Sequence, residues 1–294
     1  MQTAATSPLS SWMPWSDRAG RLVPLKLVIL LALCAPAAWM VLEWRMGWLS
    51  PKPIGDLVKE SGDWSIRMLV VSLAVTPLRY VLRWNKLVLV RRMVGLAALY
   101  YTLIHLALWC FDLHLDWMRI FTELFLRTFL TVGLAGTIIM VVLGVTSNDW
   151  SIARLGAQRW NWLHAWVYLG AAASLLHYFM EVRLDATEAS LLSGFFILLM
   201  TFRWVRKRAT PGFWNLSLMA LICGIATALA EAAYYKISTG VNVMRVLNAN
   251  LDFSYTIRPA WWVFGVGVIV AALAAVRARF GPATGRKALS PSRR

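Results

Sequence analysis

Long apolar runs, separated by short polar segments, recur along almost the whole chain. Each run approaches the ~20 residues with which a helix crosses the hydrocarbon core of a bilayer. Because the polar segments between them are too short to bury a core of their own, no soluble domain is predicted. The pattern predicts an all-α fold, a polytopic membrane helix bundle of about eight transmembrane helices, at residues 23–42, 64–82, 93–111, 128–146, 160–180, 189–205, 213–232 and 260–277.

The composition agrees with a membrane protein and excludes several kinds of cofactor site. The chain is 59% hydrophobic and only 15% charged, whereas soluble domains are about 25% charged. Its three cysteines stand far apart with no CxxC pair, which argues against an iron–sulfur cluster or a zinc site. The sequence also has no Walker or Rossmann phosphate loop, so no built-in nicotinamide-binding module is predicted.

The net charge of +16 follows the predicted topology rather than a nucleic-acid site. With a cytoplasmic N-terminus and alternating spans, the inner segments hold about two thirds of the 30 Lys and Arg residues, and the outer segments hold most of the acids. An excess of Lys and Arg on the cytoplasmic side is what orients membrane proteins. We therefore expect a multi-pass protein of the bacterial inner membrane, with both termini cytoplasmic, membrane lipid around it and no nucleic acid as partner.

Three of the four histidines fall within predicted spans, His105 in the third and both His164 and His177 in the fifth. Ionisable side chains at membrane depth are costly, and either an interhelical hydrogen bond or a metal-ligand role would satisfy them. His105 and His177 lie about six and four residues before the outer ends of two spans with the same direction, hence within about one turn of the same depth. Two imidazoles at one depth on packed helices can bind opposite faces of one haem iron, which then has no vacant position and transfers electrons.

His164 and the basic pair Arg91 and Arg92 have more than one interpretation. His164 precedes His177 by 13 residues, about 20 Å lower and roughly 140° around a straight helix, so it serves either as an alternative haem ligand or in a quinone site. A second haem at that depth would need a histidine where the two arginines stand, so one haem is the predicted count. The arginines are positive-inside anchors, or they pair with a quinone carbonyl or a flavin phosphate. His114 is expected to be a solvated loop residue.

Several segments of the chain carry a family resemblance. They are Thr76–Leu78, Arg91–Leu96 followed by His105-Leu106, and Arg154–Gly156 leading through Leu163-His164 to His177-Tyr178. Over residues 24–205 they resemble the ferric-reductase-like transmembrane family, and within it the haem-binding membrane subunits of periplasmic methionine sulfoxide reductase systems. Gly133 and other glycines of these spans favour either close helix packing or room for a porphyrin.

The resemblance implies a function, cofactors and a domain organisation. Such proteins take electrons from the quinone pool and pass them through b-type haem to a periplasmic molybdopterin reductase subunit, which reduces methionine sulfoxide; flavin mononucleotide (FMN) is also associated with the family. The family's haem-linked histidines correspond to His105, His164 and His177. Of these, the common depth of His105 and His177 predicts that they are the iron ligands. The resemblance implies a six-helix haem-binding domain (23–205), and the two-helix C-terminal extension with an outer loop (206–280) departs from the family pattern. The polar, Ser- and Pro-containing composition of the ends predicts a flexible cytoplasmic N-terminus (1–22) and a disordered basic tail (281–294).

Two other functions remain open from the sequence. One is a transmembrane ferric or superoxide-producing reductase fed by a separate flavoprotein, which would share the haem but not the electron donor. The other is a non-redox transporter or scaffold, in which the histidines only bond to neighbouring helices. Membrane transporters normally bury more charged groups along a path, which favours a redox role.

Overall fold

The computed structural model describes residues 13–16, 21–182, 184–208 and 212–280, and its regular elements are helices. The predicted flexible N-terminus lies mostly outside these described residues, and the predicted disordered tail lies entirely outside them. In chain order the α-helices are α1 Pro24–Met46, α2 Pro53–Val81, α3 Val88–Asp112, α4 Trp117–Leu126, α5 Thr128–Val145, α6 Asp149–Leu155, α7 Ala157–His164, α8 Val167–Glu181, α9 Thr187–Val205, α10 Phe213–Thr239, α11 Val243–Ala249 and α12 Pro259–Phe280. The predicted all-α class is confirmed.

Six of the described helices are long and apolar enough to cross a membrane, namely α1, α3 with the short 3-10 turn before it, α5, α9, α10 and α12. The other two predicted spans correspond to α2, whose first half is rich in charged residues, and to α8, which has only 15 residues. A multi-pass helical bundle is therefore confirmed. The count of eight spans and the cytoplasmic location of both termini stay predictions.

Helix α2 begins eleven residues before the predicted start of its span. Pro53 occupies its first turn, where the missing N–H would have had no helical partner, and the Asp56 carboxylate accepts a hydrogen bond from Ser50 N at 2.7 Å. At about 1.5 Å per residue, the 29 residues of α2 exceed the ~30 Å hydrocarbon core. The polar first half of α2 was not predicted, because a hydropathy pattern identifies only the part of a helix that lies within the lipid.

The prediction of one regular helix over 160–180 is wrong, because Ala165 and Trp166 interrupt the α-helical bonding between α7 and α8, although both keep helical backbone angles. The Ala165 amide is shared between Asn161 O at 3.0 Å and Trp162 O at 3.1 Å, and the Trp166 amide bonds three residues back to Leu163 O at 3.1 Å, which locally tightens the helix. Neither glycine nor proline occurs at this point, so the sequence carries no local signal for the break.

The helix pairs α2–α3 and α5–α8 form the centre of the bundle. Helix α9 packs against α2, and the pair α10–α12 packs on α9 from the outside. The amphipathic helix α4 is capped by Asp116, whose carboxylate accepts from Arg119 N at 3.1 Å. Because charged and apolar residues alternate around its ten positions, no long apolar run predicted it.

Tyr101 of α3 supplies hydrogen bonds that α1 lacks beside its internal proline. Pro36 interrupts the hydrogen bonding of α1, and the Tyr101 hydroxyl donates to Leu33 O at 2.8 Å while it accepts from Ala37 N at 3.0 Å. The side chain is buried. One phenol thus satisfies two backbone groups, Leu33 O and Ala37 N, beside the proline.

We expect Tyr101→Phe to lower the free energy of unfolding by about 1–2 kcal/mol, because it leaves a buried carbonyl and a buried amide without a partner. Unfolding in mixed detergent micelles, followed by tryptophan fluorescence, measures the change. Tyr100→Phe is the matched control, since Tyr100 is the preceding residue and is 62% exposed. Equal stability of the two variants would contradict this role.

Candidate functional site

A cavity of about 800 Å³ lies between α2, α3, α5 and α8. It is at the end of the bundle where α2 and α5 begin and α3 and α8 end, which is the end predicted to face the periplasm. Its volume is within the range of about 300–1,000 Å³ that is typical of ligand and cofactor pockets. The walls are mostly apolar, with two histidines inside and charged side chains at the rim.

The two histidines of the cavity, His105 on α3 and His177 on α8, face each other. Their ring centroids are 6.4 Å apart and their planes cross at 75°. In a centre with two axial imidazoles, each nitrogen lies about 2 Å from the metal and about 1 Å from its own ring centre, so the ring centres are about 6 Å apart. The predicted common depth of the two rings is therefore confirmed. Their separation fits two ligands of a single metal ion, and the ligand role itself stays a prediction.

The same kind of hydrogen bond fixes the orientation of each ring. Nδ1 of His105 lies 2.8 Å from Val58 O of α2, and Nδ1 of His177 lies 2.7 Å from Phe129 O of α5. A carbonyl oxygen only accepts, so Nδ1 carries the proton in both rings and Nε2 carries the lone pair. This is the arrangement found around metal-bound histidines, in which the second nitrogen donates to a carbonyl or carboxylate.

A glycine lies beneath each ring, four residues after the carbonyl that holds it. A Cβ atom on Gly62 would lie 3.0 Å from Nδ1 of His105, and one on Gly133 would lie 2.8 Å from Nδ1 of His177. The contact at Gly133 is shorter than real Cβ atoms make, and the contact at Gly62 is tighter than nearly all of them, so each imidazole packs closely on helix backbone. The sequence indicated that Gly133 serves close packing or leaves room for a porphyrin. It did not single out Gly62, since no local signal shows which ring a glycine will face.

The central part of the chain is similar to known proteins of one family. Residues 61–175 match the family described as "Ferric reductase like transmembrane component". A protein of Caulobacter vibrioides is 35% identical over 62% of this chain and 87% of its own length. Others from Rhodospirillum rubrum and Rhizobium meliloti are 35% and 38% identical, over 64% and 59% of this chain and 89% and 80% of their own lengths. All three are named protein-methionine-sulfoxide reductase heme-binding subunit MsrQ.

The chain belongs to the MsrQ family. It is accordingly a multi-pass protein of the inner membrane, as predicted. The region matched by the ferric-reductase-like family contains His105 and His164 and ends two residues before His177, so α10–α12 lie entirely beyond it. No solved structure matches the chain.

Charged side chains also line the cavity. Lys59 and Arg127 are the basic residues of its lining, and the acidic residues are Asp63, Glu181 and Asp185. Arg127 also pairs with Glu123 at 3.2 Å. In the turn after α8, hydrogen bonds from Thr187 lower the pKa of Asp185, and the positive charge of Arg258 lowers it further. The rim therefore presents both signs of charge to whatever occupies the cavity.

His164 is not part of this cavity. Its Nε2 lies 3.2 Å from the Thr146 hydroxyl, and its ring stacks on Trp160 with centroids 3.8 Å apart. Nearby, Arg92 pairs with Asp149 at 2.7 Å. His164 thus lies at the other end of the bundle, and its role in this MsrQ-family chain stays a prediction. His114 is exposed in a turn with φ of 55°, in agreement with a loop residue.

Proposed function

We propose that this chain is a haem b electron-transfer subunit, in which His105 and His177 would together hold the iron of one haem. The observation that carries the proposal is the pair of imidazoles 6.4 Å apart, each with Nδ1 bonded to a carbonyl and Nε2 left as the donor nitrogen. The names of the relatives, heme-binding subunits, support the choice of cofactor. When bound, b-type haem supplies one-electron redox chemistry at its iron.

The residues of the cavity fit this cofactor. The lining is mostly apolar, as a porphyrin requires. Lys59 and Arg127 provide positive charge for the two propionates. Because protein nitrogens would occupy both axial positions, the site has no place for a substrate molecule, which favours electron transfer over oxygen activation.

We further propose that the electrons come from the membrane quinol pool and pass to a periplasmic molybdopterin methionine sulfoxide reductase. The relatives are subunits of a protein-methionine-sulfoxide reductase by name, and the cavity lies at the end predicted to face the periplasm. The opposite, basic end holds His164 and Arg92 and is the proposed quinone side. The FMN implied by the family resemblance stays a prediction, with Arg91 and Arg92 as the candidates for its phosphate.

The electron donor can be tested on the purified, haem-loaded protein in nanodiscs. Anaerobic addition of a quinol is expected to reduce the haem within seconds, which a stopped-flow instrument detects as the α-band of reduced b-type haem. NADPH with a soluble flavoprotein reductase is the comparison, because it is the donor of the alternative ferric or superoxide-type reductase. Reduction by the flavoprotein alone would favour that alternative, and a protein that takes up no supplied haem would favour the transporter or scaffold.

His164→Ala separates the two roles that the sequence left open for this residue. If His164 serves the quinone site, the variant keeps the wild-type haem spectrum and its reduction by quinol slows about tenfold or more. The measurement is the rate of α-band formation at several quinol concentrations, alongside dithionite reduction as a donor-independent control. A changed spectrum of the oxidised haem would instead assign His164 to the iron.

A further inference from the structure

The turn between α8 and α9 forms one side of the cavity mouth. Val182, Leu184 and Asp185 of this turn line the cavity, and α8 ends at Glu181, one turn beyond His177. A displacement of the turn would therefore move the last turn of α8 and the imidazole it carries. What holds this turn bears directly on the position of His177.

Two consecutive tyrosines of α10 bind the two ends of the turn. The Tyr234 hydroxyl donates to Val182 O at 2.5 Å, and the Tyr235 hydroxyl accepts from Ala186 N at 3.2 Å. The Tyr234 ring also packs on Phe179 of α8, with centroids 5.1 Å apart. These contacts, which we call the tyrosine clamp, fasten both the start and the end of the segment that borders the cavity.

A buried ion pair fixes α10 to the elements that follow it. Glu231, one turn before Tyr235, is fully buried and accepts from Arg258 at 2.6 Å and from Asn250 at 3.2 Å. The Asn250 carbonyl in turn accepts from Trp261 Nε1 at 2.6 Å. A carboxylate at this depth is costly unless it is paired, so the network holds α10, α11 and the start of α12 in one arrangement. Helix α10, which carries the tyrosine clamp, is therefore fixed to α11 and to the start of α12.

We propose that α10–α12 position the haem ligand His177 through the tyrosine clamp and keep the iron closed to exogenous ligands. The proposal rests on the proposed haem function, and it assigns Tyr234 and Tyr235 as positioning residues. Without the clamp, the end of α8 gains freedom to move away from the iron. His177 then dissociates more often, and a small molecule can take its coordination position.

Carbon monoxide binding to the reduced haem measures this opening, because the gas can bind only when one imidazole leaves. The double variant Tyr234→Phe/Tyr235→Phe keeps both rings and removes only the hydroxyls. We expect its rate of carbon monoxide binding to rise about tenfold over the wild type, from the loss of two hydrogen bonds. The single variants should each give a smaller increase, so the clamp is measurable even if the double variant folds poorly.

Tyr255→Phe is the matched control, because Tyr255 belongs to the same extension and is 93% exposed. Its carbon monoxide binding should equal that of the wild type. A haem-loaded double variant that binds carbon monoxide at the wild-type rate, with an unchanged electron paramagnetic resonance (EPR) spectrum, would overturn the clamp alone. A wild-type protein that takes up no haem would overturn the proposed function and, with it, this role of the extension.

Discussion

Replacement of His105 or His177 by alanine is expected to abolish the low-spin b-type spectrum of the protein. Each variant removes one of two imidazoles whose rings lie 6.4 Å apart in the cavity. The remaining histidine can hold at most a five-coordinate iron, so haem content should fall about tenfold or more, and any retained haem should be high-spin. Pyridine haemochrome assay and absorption spectra of the purified variants measure both quantities.

His114→Ala is the control for these two variants, because His114 is exposed in the loop after α3. It should retain the wild-type haem content and spectrum. A low-spin spectrum of wild-type intensity in either His105→Ala or His177→Ala would contradict the assignment of that residue as a ligand, provided that the variant is inserted and folded to the same yield.

Gly133→Ala and Gly62→Ala should disturb the haem centre without touching it. A new Cβ would lie 2.8 Å from Nδ1 of His177 in the first variant and 3.0 Å from Nδ1 of His105 in the second. Alanine favours helices over glycine by about 1 kcal/mol, so the helices themselves gain rather than lose stability. The imidazole must shift, which strains its hydrogen bond to the carbonyl, and we expect lower haem content and altered EPR g-values, with the larger effect in Gly133→Ala.

Gly55→Ala on α2 and Gly265→Ala on α12 are the matched controls, because a Cβ at either position meets no atom within 4 Å. Both should leave the haem signal unchanged and, if anything, raise the stability of the protein. Identical EPR spectra of Gly133→Ala and Gly265→Ala would show that the ring can shift at no cost and would remove the proposed role of the bare backbone.

The placement of the two cavity histidines was predictable from the sequence. Apolar runs end near the membrane surface, so the number of residues from His105 and His177 to the ends of their runs converts into depth through the helical rise. Predicting this depth needs no knowledge of how either helix is rotated about its axis, because a shared depth on neighbouring helices already restricts two side chains to one level. The interruption at Ala165 and Trp166 does not affect this depth, because His177 lies beyond it near the end of α8.

The supporting residues could not be predicted in the same way. Gly62 lies in the polar half of α2, where hydropathy indicated no helix at all, and its contact with His105 depends on how two helices are rotated against each other. Tyr234 and Tyr235 act on a turn that is about fifty residues earlier in the chain. Contacts of this kind are set by tertiary packing, which leaves no periodic trace in the sequence.

The most direct test of the central claim is the low-temperature EPR spectrum of the oxidised wild-type protein, purified with haem supplied. Two axial imidazoles with planes crossing at 75° predict a low-spin ferric centre with strongly anisotropic g-values, at one haem per chain. A high-spin spectrum, or a protein that takes up no haem, would contradict the conclusion that His105 and His177 together bind the iron.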